Sequence, residues 1–567
     1  MSSRRWEFWI DRGGTFTDCI GLDPEGVLHT TKVLSSDIAP REAIRQLLER
    51  AGTIAGGEPL PHCLVKVGST VATNALLERR GVPTLLVADR GLGDVVRIGT
   101  QERPHLFELD IDLPAPLHTR TLEVGGRVSK GGVVLDALDE VETLRGFEQA
   151  RLDGATSVAI VMIHSYAHPE TESRLRELAE QAGFEFAVAS HEVARELGLL
   201  ARGETTVADA YLTPLLRRHV DDLAAALPGS QLRFMQSSGG LTDAVRFRGP
   251  NALLSGPAGG VVAAAKVAAD AGFRRAIAFD MGGTSSDVSL IEDGEVDRSF
   301  ETVIGGIRVK APMMRIHTVA AGGGSVCQFD GESLSVGPES AGAWPGPLCY
   351  GRAGDSGKSA ASELALTDVN FALGRVQPDR FPFALDEAPV SQALDRQREL
   401  FEKAGVPRSA DEIASGYIEV ANANMAQAIA QVSVARGVDP RDHALVGFGG
   451  AAGQHVCAIA RLLELPRVIL HPLAGVLSAY GIGLCEATWD GQRDAGRTPL
   501  PSDGAPVATS TAALFDELEA TGRATLEAEG ENAALIRAER WLDLRYAGTD
   551  VPLSLRDPQP GALAADW

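Results

Sequence analysis

The chain has 567 residues, so two to four domains are expected, and its 44% hydrophobic and 23% charged content is that of a globular rather than a disordered protein. Its formal net charge of −23 leaves no basic footprint for nucleic acid or for an anionic membrane surface. Glycine is in excess at 62 residues, about 11% against an average near 7%, and is bunched rather than periodic, which excludes a collagen-like repeat.

In chain order, a short strand at 6–10 delivers Asp11 into a glycine turn, and 17–22 runs back as a second strand. A helix opens at Pro40, with Ala43, Ile44, Leu47 and Leu48 on one face. Apolar strands at 85–88 and 158–163 alternate with amphipathic helices such as 170–182, which stops before Gly183. A second phase starts with a strand at 276–280, passes through a long helix at 413–434 closed by Arg436 and Gly437, and ends near 481–484. Beyond Ala487 the glycine loops stop, and a strand-like segment at 541–546 precedes Gly548. This alternation predicts an α/β fold. The six cysteines form no CxxC pair, and no apolar run reaches signal-peptide length or the ~20 residues of a membrane span, so a soluble, cytoplasmic protein is expected.

DRGGTFTD at 11–18 and DMGGTSSD at 280–287 share the pattern DxGGTx[ST]D, each between two short apolar strands. Two such copies predict two similar half-structures, each presenting an aspartate and a glycine loop. Successive backbone N–H groups in a tight glycine turn form a concavity that phosphate oxygens can approach closely. Thr15, Thr17, Thr284 and Ser285 add hydroxyl donors. Asp11 and Asp280 are placed to hold hydrated Mg2+, which takes one or two carboxylates together with phosphate oxygens. Ordinary hairpin turns also use GG, but the acids, the hydroxyls and the duplication favour phosphate binding.

Other glycine segments follow. FGGAAGQH at 448–455 leads from a strand into a helix and carries Gly449, Gly450 and Gly453. SGPAGG at 255–260 opens a helix whose first amides suit an anion. AAGGGS at 320–325, costly to order unless close backbone approach is needed, carries Gly323 and Gly324. GRAGDSGKS at 351–359 has Arg352 where a Walker A loop needs glycine, and reads as a surface loop.

The two duplicated loops and the loop at 448–455 resemble the phosphate-1, phosphate-2 and adenosine loops of the actin, sugar-kinase and heat-shock-chaperone ATPases. The strings IDRGGTFTD (10–18), GSTVATNALLERRG (68–81), QSSGGL (236–241), LSGPAGGV (254–261), FDMGGTSSDVS (279–289), HTVAAGGGS (317–325), VGPESAGAWPGPLCY (336–350) and FGGAAGQH (448–455) occur in order over nearly the whole chain. Together they resemble the hydantoinase A / 5-oxoprolinase family. The resemblance implies duplicated actin-like (ribonuclease H-like) ATPase domains around a nucleotide cleft, divided as 1–200 and 201–490, with a partial C-terminal domain at 491–567. It implies ATP and Mg2+ as cofactors, and ATP-driven opening of a cyclic amide, 5-oxo-L-proline giving L-glutamate.

By the same resemblance, Asp11, Gly13, Gly14, Thr15 and Thr17 form one phosphate loop, and Asp280, Gly282, Gly283, Thr284 and Asp287 form the other. Asp11, Asp280, Thr15 and Thr284 would stand at the chemistry, with Mg2+ held by Asp11 and Asp280 through water. Gly323, Gly324, Gly449, Gly450 and Gly453 would pass close to the nucleotide. Ser69, Thr70 and Asn74 would lie on the lactam side, although helix N-capping is an equal reading for Ser69 and Thr70. Family members continue beyond a segment like RYAGTD (545–550), so the resemblance implies either a subunit needing a separate partner or a shortened product, with a hydantoinase B-type subunit or domain as the expected partner and an oligomer as the expected state. An N-methylhydantoinase subunit, a ketone carboxylase subunit and a silent ATP-binding subunit are the alternatives.

His164 and His168 sit at a strand-to-helix connection without a third ligand nearby, so no metal pair is expected there. His317 and His455 adjoin glycine loops, where packing is favoured over contact with nucleotide. Cys457 lies two residues beyond His455, and positions i and i+2 do not face each other on a helix.

Overall fold

The computed structural model describes residues 5–14, 16–102, 107, 109, 114–342, 344–352, 363–381, 383–496, 509–546, 549 and 553–556. The first hairpin forms where Phe8, Ile10, Cys19 and Ile20 supply a buried apolar set. β1 (Glu7–Arg12) pairs antiparallel with β2 (Phe16–Leu22). An Asx turn follows, in which Asp23 Oδ1 accepts from the Glu25 N–H at 3.0 Å and also from the Val27 N–H at 2.8 Å, and it sends β3 (Leu28–Leu34) back along β2. The Ala39–Arg50 helix buries Ala43, Ile44, Leu47 and Leu48, as their spacing predicts, and β4 (Leu64–Ser69) joins β1 in parallel.

The chain then leaves this sheet to build a second, smaller one. β5 (Thr84–Asp89), β6 (Arg120–Val124), β7 (Ser157–Val161) and β8 (Phe186–Ala189) form an all-parallel sheet of order β6-β5-β7-β8. Both faces of β5 and β7 are covered, so these strands read as continuous apolar runs. The Leu199–Ala226 helix packs against this sheet and continues past Pro214, and it returns the chain to β9 (Gln231–Met235) and β10 (Leu241–Thr242) of the first sheet. That sheet has the order β10-β9-β4-β1-β2-β3.

The same plan then repeats. β11 (Ala276–Met281), β12 (Ser286–Glu292) and β13 (Glu295–Val296) form an antiparallel set, and the strands Ala444–Phe448 and Arg467–Ile469 extend it in parallel from β11. The strand His317–Val319 also pairs with β12. The two sheets thus share the order of three antiparallel strands followed by two parallel ones, the duplicated actin-like arrangement within an α/β fold.

Two helices join the halves. Ser255–Asp270, which follows the first sheet, touches β4 and β9 of that sheet and also β11 and the 444–448 strand of the second. Leu477–Leu484, which follows the second sheet, packs against β1, β2 and β4 of the first. The helices meet through bare backbone: a Cβ on Gly481 would collide with the Gly259 carbonyl oxygen. Among the described residues, no helix is long and apolar enough to cross a membrane.

Candidate functional site

Register places Asp11 opposite Asp18 and Asp280 opposite Asp287, so each hairpin carries two carboxylates next to its glycine turn. The turns match. The Gly13 N–H donates to the Phe16 carbonyl at 3.1 Å, and the Gly282 N–H donates to the Ser285 carbonyl at 3.0 Å. Gly14, Gly283 and Thr284 are exposed at the tips, while Thr15 lies outside the described residues. Thr17 and its counterpart Ser286 are buried and brace the loops from behind. Thr17 Oγ1 meets Ser35 Oγ at 3.0 Å, and Ser286 Oγ donates to the Ala321 carbonyl at 2.5 Å.

The first turn of a joining helix faces each leading aspartate. A Cβ on Gly256 would stand 3.1 Å from Asp11 Oδ1, and the Ser478 hydroxyl donates to Asp280 Oδ2 at 3.5 Å. Helix N-termini favour negative charge, but here burial outweighs them. Burial pushes Asp11 up to about 7, reinforced by Asp18 and opposed by Lys32. Asp280 is driven well above the usual carboxylate range by burial first, then by Asp287, Asp11 and Asp18, so the two hairpins share one electrostatic site. Burial raises Asp287 to about 6 against a 2.6 Å hydrogen bond from Thr318 Oγ1. Asp18 is raised by burial despite Lys32 Nζ at 2.5 Å.

This donor set fits Mg2+. Asp11 Oδ1 is buried without a hydrogen-bond partner, and the Lys32 ammonium offsets the charge of Asp11, Asp18 and Asp280 only in part. Among the described residues no three His, Cys, Asp or Glu side chains converge as a metal-holding group, so an ion on Asp11 and Asp280 would be completed by water and phosphate oxygens.

The loop after Ala444–Phe448 lies against β11. Gly449 has φ +90°, and a Cβ there would collide with Asp280 Oδ1; the Ala451 N–H donates to the Met281 carbonyl at 3.0 Å. Gly450 and Gly453 face open space. Gly323 and Gly324 donate their N–H groups to the Gly282 and Gly283 carbonyls at 3.0 and 2.6 Å, so this loop backs the second hairpin turn. Ser69 Oγ accepts from the Val71 N–H at 3.2 Å, at the start of the Val71–Leu77 helix, and Thr70 Oγ1 donates to the Arg12 carbonyl at 3.2 Å. Asn74 is exposed, with Nδ2 3.5 Å from Thr70 Oγ1.

His455 is fully buried. Its Nδ1 donates to Asn422 Oδ1 at 2.8 Å, its Nε2 accepts from Asn370 Nδ2 at 3.1 Å, and burial lowers it to about 4, so it is a neutral packing residue. His317 is exposed on its strand. Residues 353–359 of the Walker-like segment lie outside the described residues. Lys32 and Ser478 lie outside the sequence motifs, while Gly256 and Thr318 lie inside them without any sequence signal that ties them to the aspartates. Lys32 was reachable, because the DPEG turn at 23–26 fixes the register that sets it opposite Asp18.

The family described as Hydantoinase/oxoprolinase matches residues 202–490, and its N-terminal region matches residues 7–183. 5-oxoprolinase 1 of Arabidopsis thaliana is 36% identical over 614 residues, covering 98% of this chain and 47% of the relative. The chain therefore spans about half the length of that curated relative. Caprolactamase subunit alpha of Pseudomonas jessenii is 34% identical over 508 residues, 86% of this chain and 72% of the relative. The crystal structure of the ATP-dependent caprolactamase from Pseudomonas jessenii superposes with a TM-score of 0.80 at 31% identity, covering 99% of this chain and 82% of that one. With the duplicated hairpins in the order the motifs require and these matches along its length, the chain belongs to the hydantoinase/oxoprolinase family.

Proposed function

We propose that the chain is the ATP-using part of an enzyme that opens a cyclic amide, converting 5-oxo-L-proline to L-glutamate as ATP becomes ADP and phosphate. The observation that carries this reading is the pair of carboxylate-bearing glycine hairpins sharing one electrostatic site, in a chain 36% identical to a relative named 5-oxoprolinase 1. Amide resonance, seen in the ~18–20 kcal/mol rotation barrier, makes the lactam carbon a poor electrophile. Attack of the lactam oxygen on the γ-phosphorus, with departure of ADP, removes that protection. Water then adds to the carbon, the C–N bond breaks, and a second water releases phosphate from the remaining acyl phosphate.

The turns at Gly13, Gly14, Gly282 and Gly283, exposed at Gly14 and Gly283, would receive the phosphates, with the hydroxyls of Thr15 and Thr284 as further donors. Asp11 and Asp280 would hold Mg2+ through water. When bound, that ion supplies neutralisation of the charge on the β- and γ-phosphate oxygens. Lys32 tempers the surplus negative charge from the Asp18 side. Gly449, Gly450 and Gly453 would lie along the nucleotide, and Ser69, Thr70 and Asn74 toward the lactam. A hydantoinase B-type partner would complete the hydrolysis, a reading supported by the subunit name and by the greater length of the 5-oxoprolinase relative. The unpaired state of all six cysteines supports a cytoplasmic site of action.

A second reading, in which the lactam is caprolactam, is favoured by the TM-score of 0.80 to the ATP-dependent caprolactamase. ADP release from the chain mixed with a B-type half tests both. A tenfold or greater stimulation by 5-oxo-L-proline is expected. Stimulation by caprolactam alone transfers the assignment to the second reading, and no stimulation by any cyclic amide sinks both.

A further inference from the structure

The small sheet has its own topological switch point. In the order β6-β5-β7-β8, the connection from β5 leads to one side and that from β7 to the other, so the two central strands diverge at their C-terminal ends. Crevices of this kind receive ligands in open parallel sheets. Asp89 ends β5 and His164 follows β7 by three residues, while Arg127 and Lys130 come from the segment after β6.

Most of the buried polar groups beneath the crevice are saturated. Glu172 accepts from the Met162 N–H at 2.8 Å, Ser190 Oγ at 2.6 Å, the His191 N–H at 3.0 Å and His191 Nδ1 at 2.7 Å. Arg202, fully buried, donates to Ser190 Oγ at 2.8 Å and to the carbonyls of Glu196, Met162 and Ile163. These bonds fix the end of β7.

Two atoms stand out against that saturation. Asp89 is 1% exposed; its Oδ2 accepts from the Ile163 N–H at 2.8 Å, but its Oδ1 has no hydrogen-bond partner. His164 Nδ1 is likewise buried without one. Apart from a 3.7 Å ion pair with Arg127 Nε, this buried carboxylate oxygen accepts no hydrogen bond, which is costly and leaves it able to take a donor that arrives from outside. Burial raises the Asp89 carboxyl and lowers His164, the behaviour of groups desolvated ahead of a partner. The rim is cationic: Arg127 Nε lies 3.7 Å from Asp89 Oδ1 with a third of its side chain exposed, and Lys130, exposed three residues on, is tied by its carbonyl to His168 Nε2 at 3.1 Å.

We propose that this crevice, separate from the glycine hairpins, binds a small amino-acid-like molecule. Its N–H or ammonium group sits on Asp89 Oδ1 and its carboxylate on Arg127 and Lys130. A cyclic amino-acid amide and an open amino acid share that chemistry, and the test separates them.

Isothermal titration of the full chain, without ATP, uses 5-oxo-L-proline in one arm and L-glutamate in the other, with 2-pyrrolidinone as the analogue lacking the carboxylate. One of the two acids is expected to bind, at least tenfold more weakly to Asp89→Asn, with binding retained by Asp280→Asn in the hairpin site. Arg127→Gln, at a side chain one third exposed, is expected to weaken the acid tenfold and to bring it level with 2-pyrrolidinone. Absence of binding by both acids, or equal binding by the wild type and Arg127→Gln, overturns the proposal. Because no nucleotide is present, neither result depends on the ATP-using reading.

Discussion

Glu204 lies on the Leu199–Ala226 helix with Oε2 buried and unpartnered, and burial pushes its carboxyl up to about 7 against the attraction of Arg308. Below the ordinary value of 4.5 the folded and unfolded chains both carry the proton, and the group costs nothing. As pH rises from 4.5 toward about 7 the unfolded chain gives up its proton first, so stability falls through that window and the penalty is complete above it. Glu204→Gln is therefore expected to stabilise the protein at pH 8 by up to about 3 kcal/mol and to be nearly neutral at pH 4, checked by urea unfolding at the two pH values. At this scale the sequence was legible only where residues repeat a pattern. Asp11 and Asp280 are visible as members of the duplicated motif, whereas Glu204, Asp89 and Lys32 acquire their character from neighbours remote in the chain or from register.

The glycine loops behave as units, yet their glycines are not equivalent. Gly449 combines φ +90° with contact against Asp280 and Met281, so an alanine there is strained and pushes on the carboxylate. Gly453 meets no protein atom within 4 Å, so an alanine there disturbs nothing unless a bound molecule occupies the space. Titration with Mg-ATP is expected to show at least a tenfold loss for Gly449→Ala accompanied by a lower melting temperature. Gly453→Ala is expected to lose affinity with its melting temperature unchanged; unchanged affinity in Gly453→Ala would remove that glycine from the nucleotide site. Elements with a strong period were readable: the 39–50 and 410–435 helices and the strands of both hairpins appear within a few residues of their predicted places. The Leu199–Ala226 helix was not, because it is buried on several faces and contains Pro214, which erases both the amphipathic stripe and the usual breaker rule. The Thr509–Ala528 helix also went unread.

Across the whole molecule, the two halves meet through helices 255–270 and 477–484, each carrying its first turn to the aspartate of a different hairpin. A ligand gripped by both hairpins binds only the assembled fold, so it should stabilise by RT ln(1 + [L]/Kd), about 2.7 kcal/mol at one hundred times Kd. Mg-ATP is expected to raise the melting temperature of the wild type, and either Asp11→Asn or Asp280→Asn alone should abolish the rise. Retention of the full shift in one of them would mean that a single hairpin suffices. The sequence by itself determined the duplication, the glycine turns and the leading acid of each, because those features are local: a strand, a turn and a strand close on themselves within a dozen residues. The tertiary structure decided what the acids face. Sheet register set Lys32 against Asp18 and Thr318 against Asp287, and the joining helices brought Gly256 and Ser478 to the two leading aspartates. Burial and charge in that shared space, which no local spacing encodes, set the protonation of all four carboxylates.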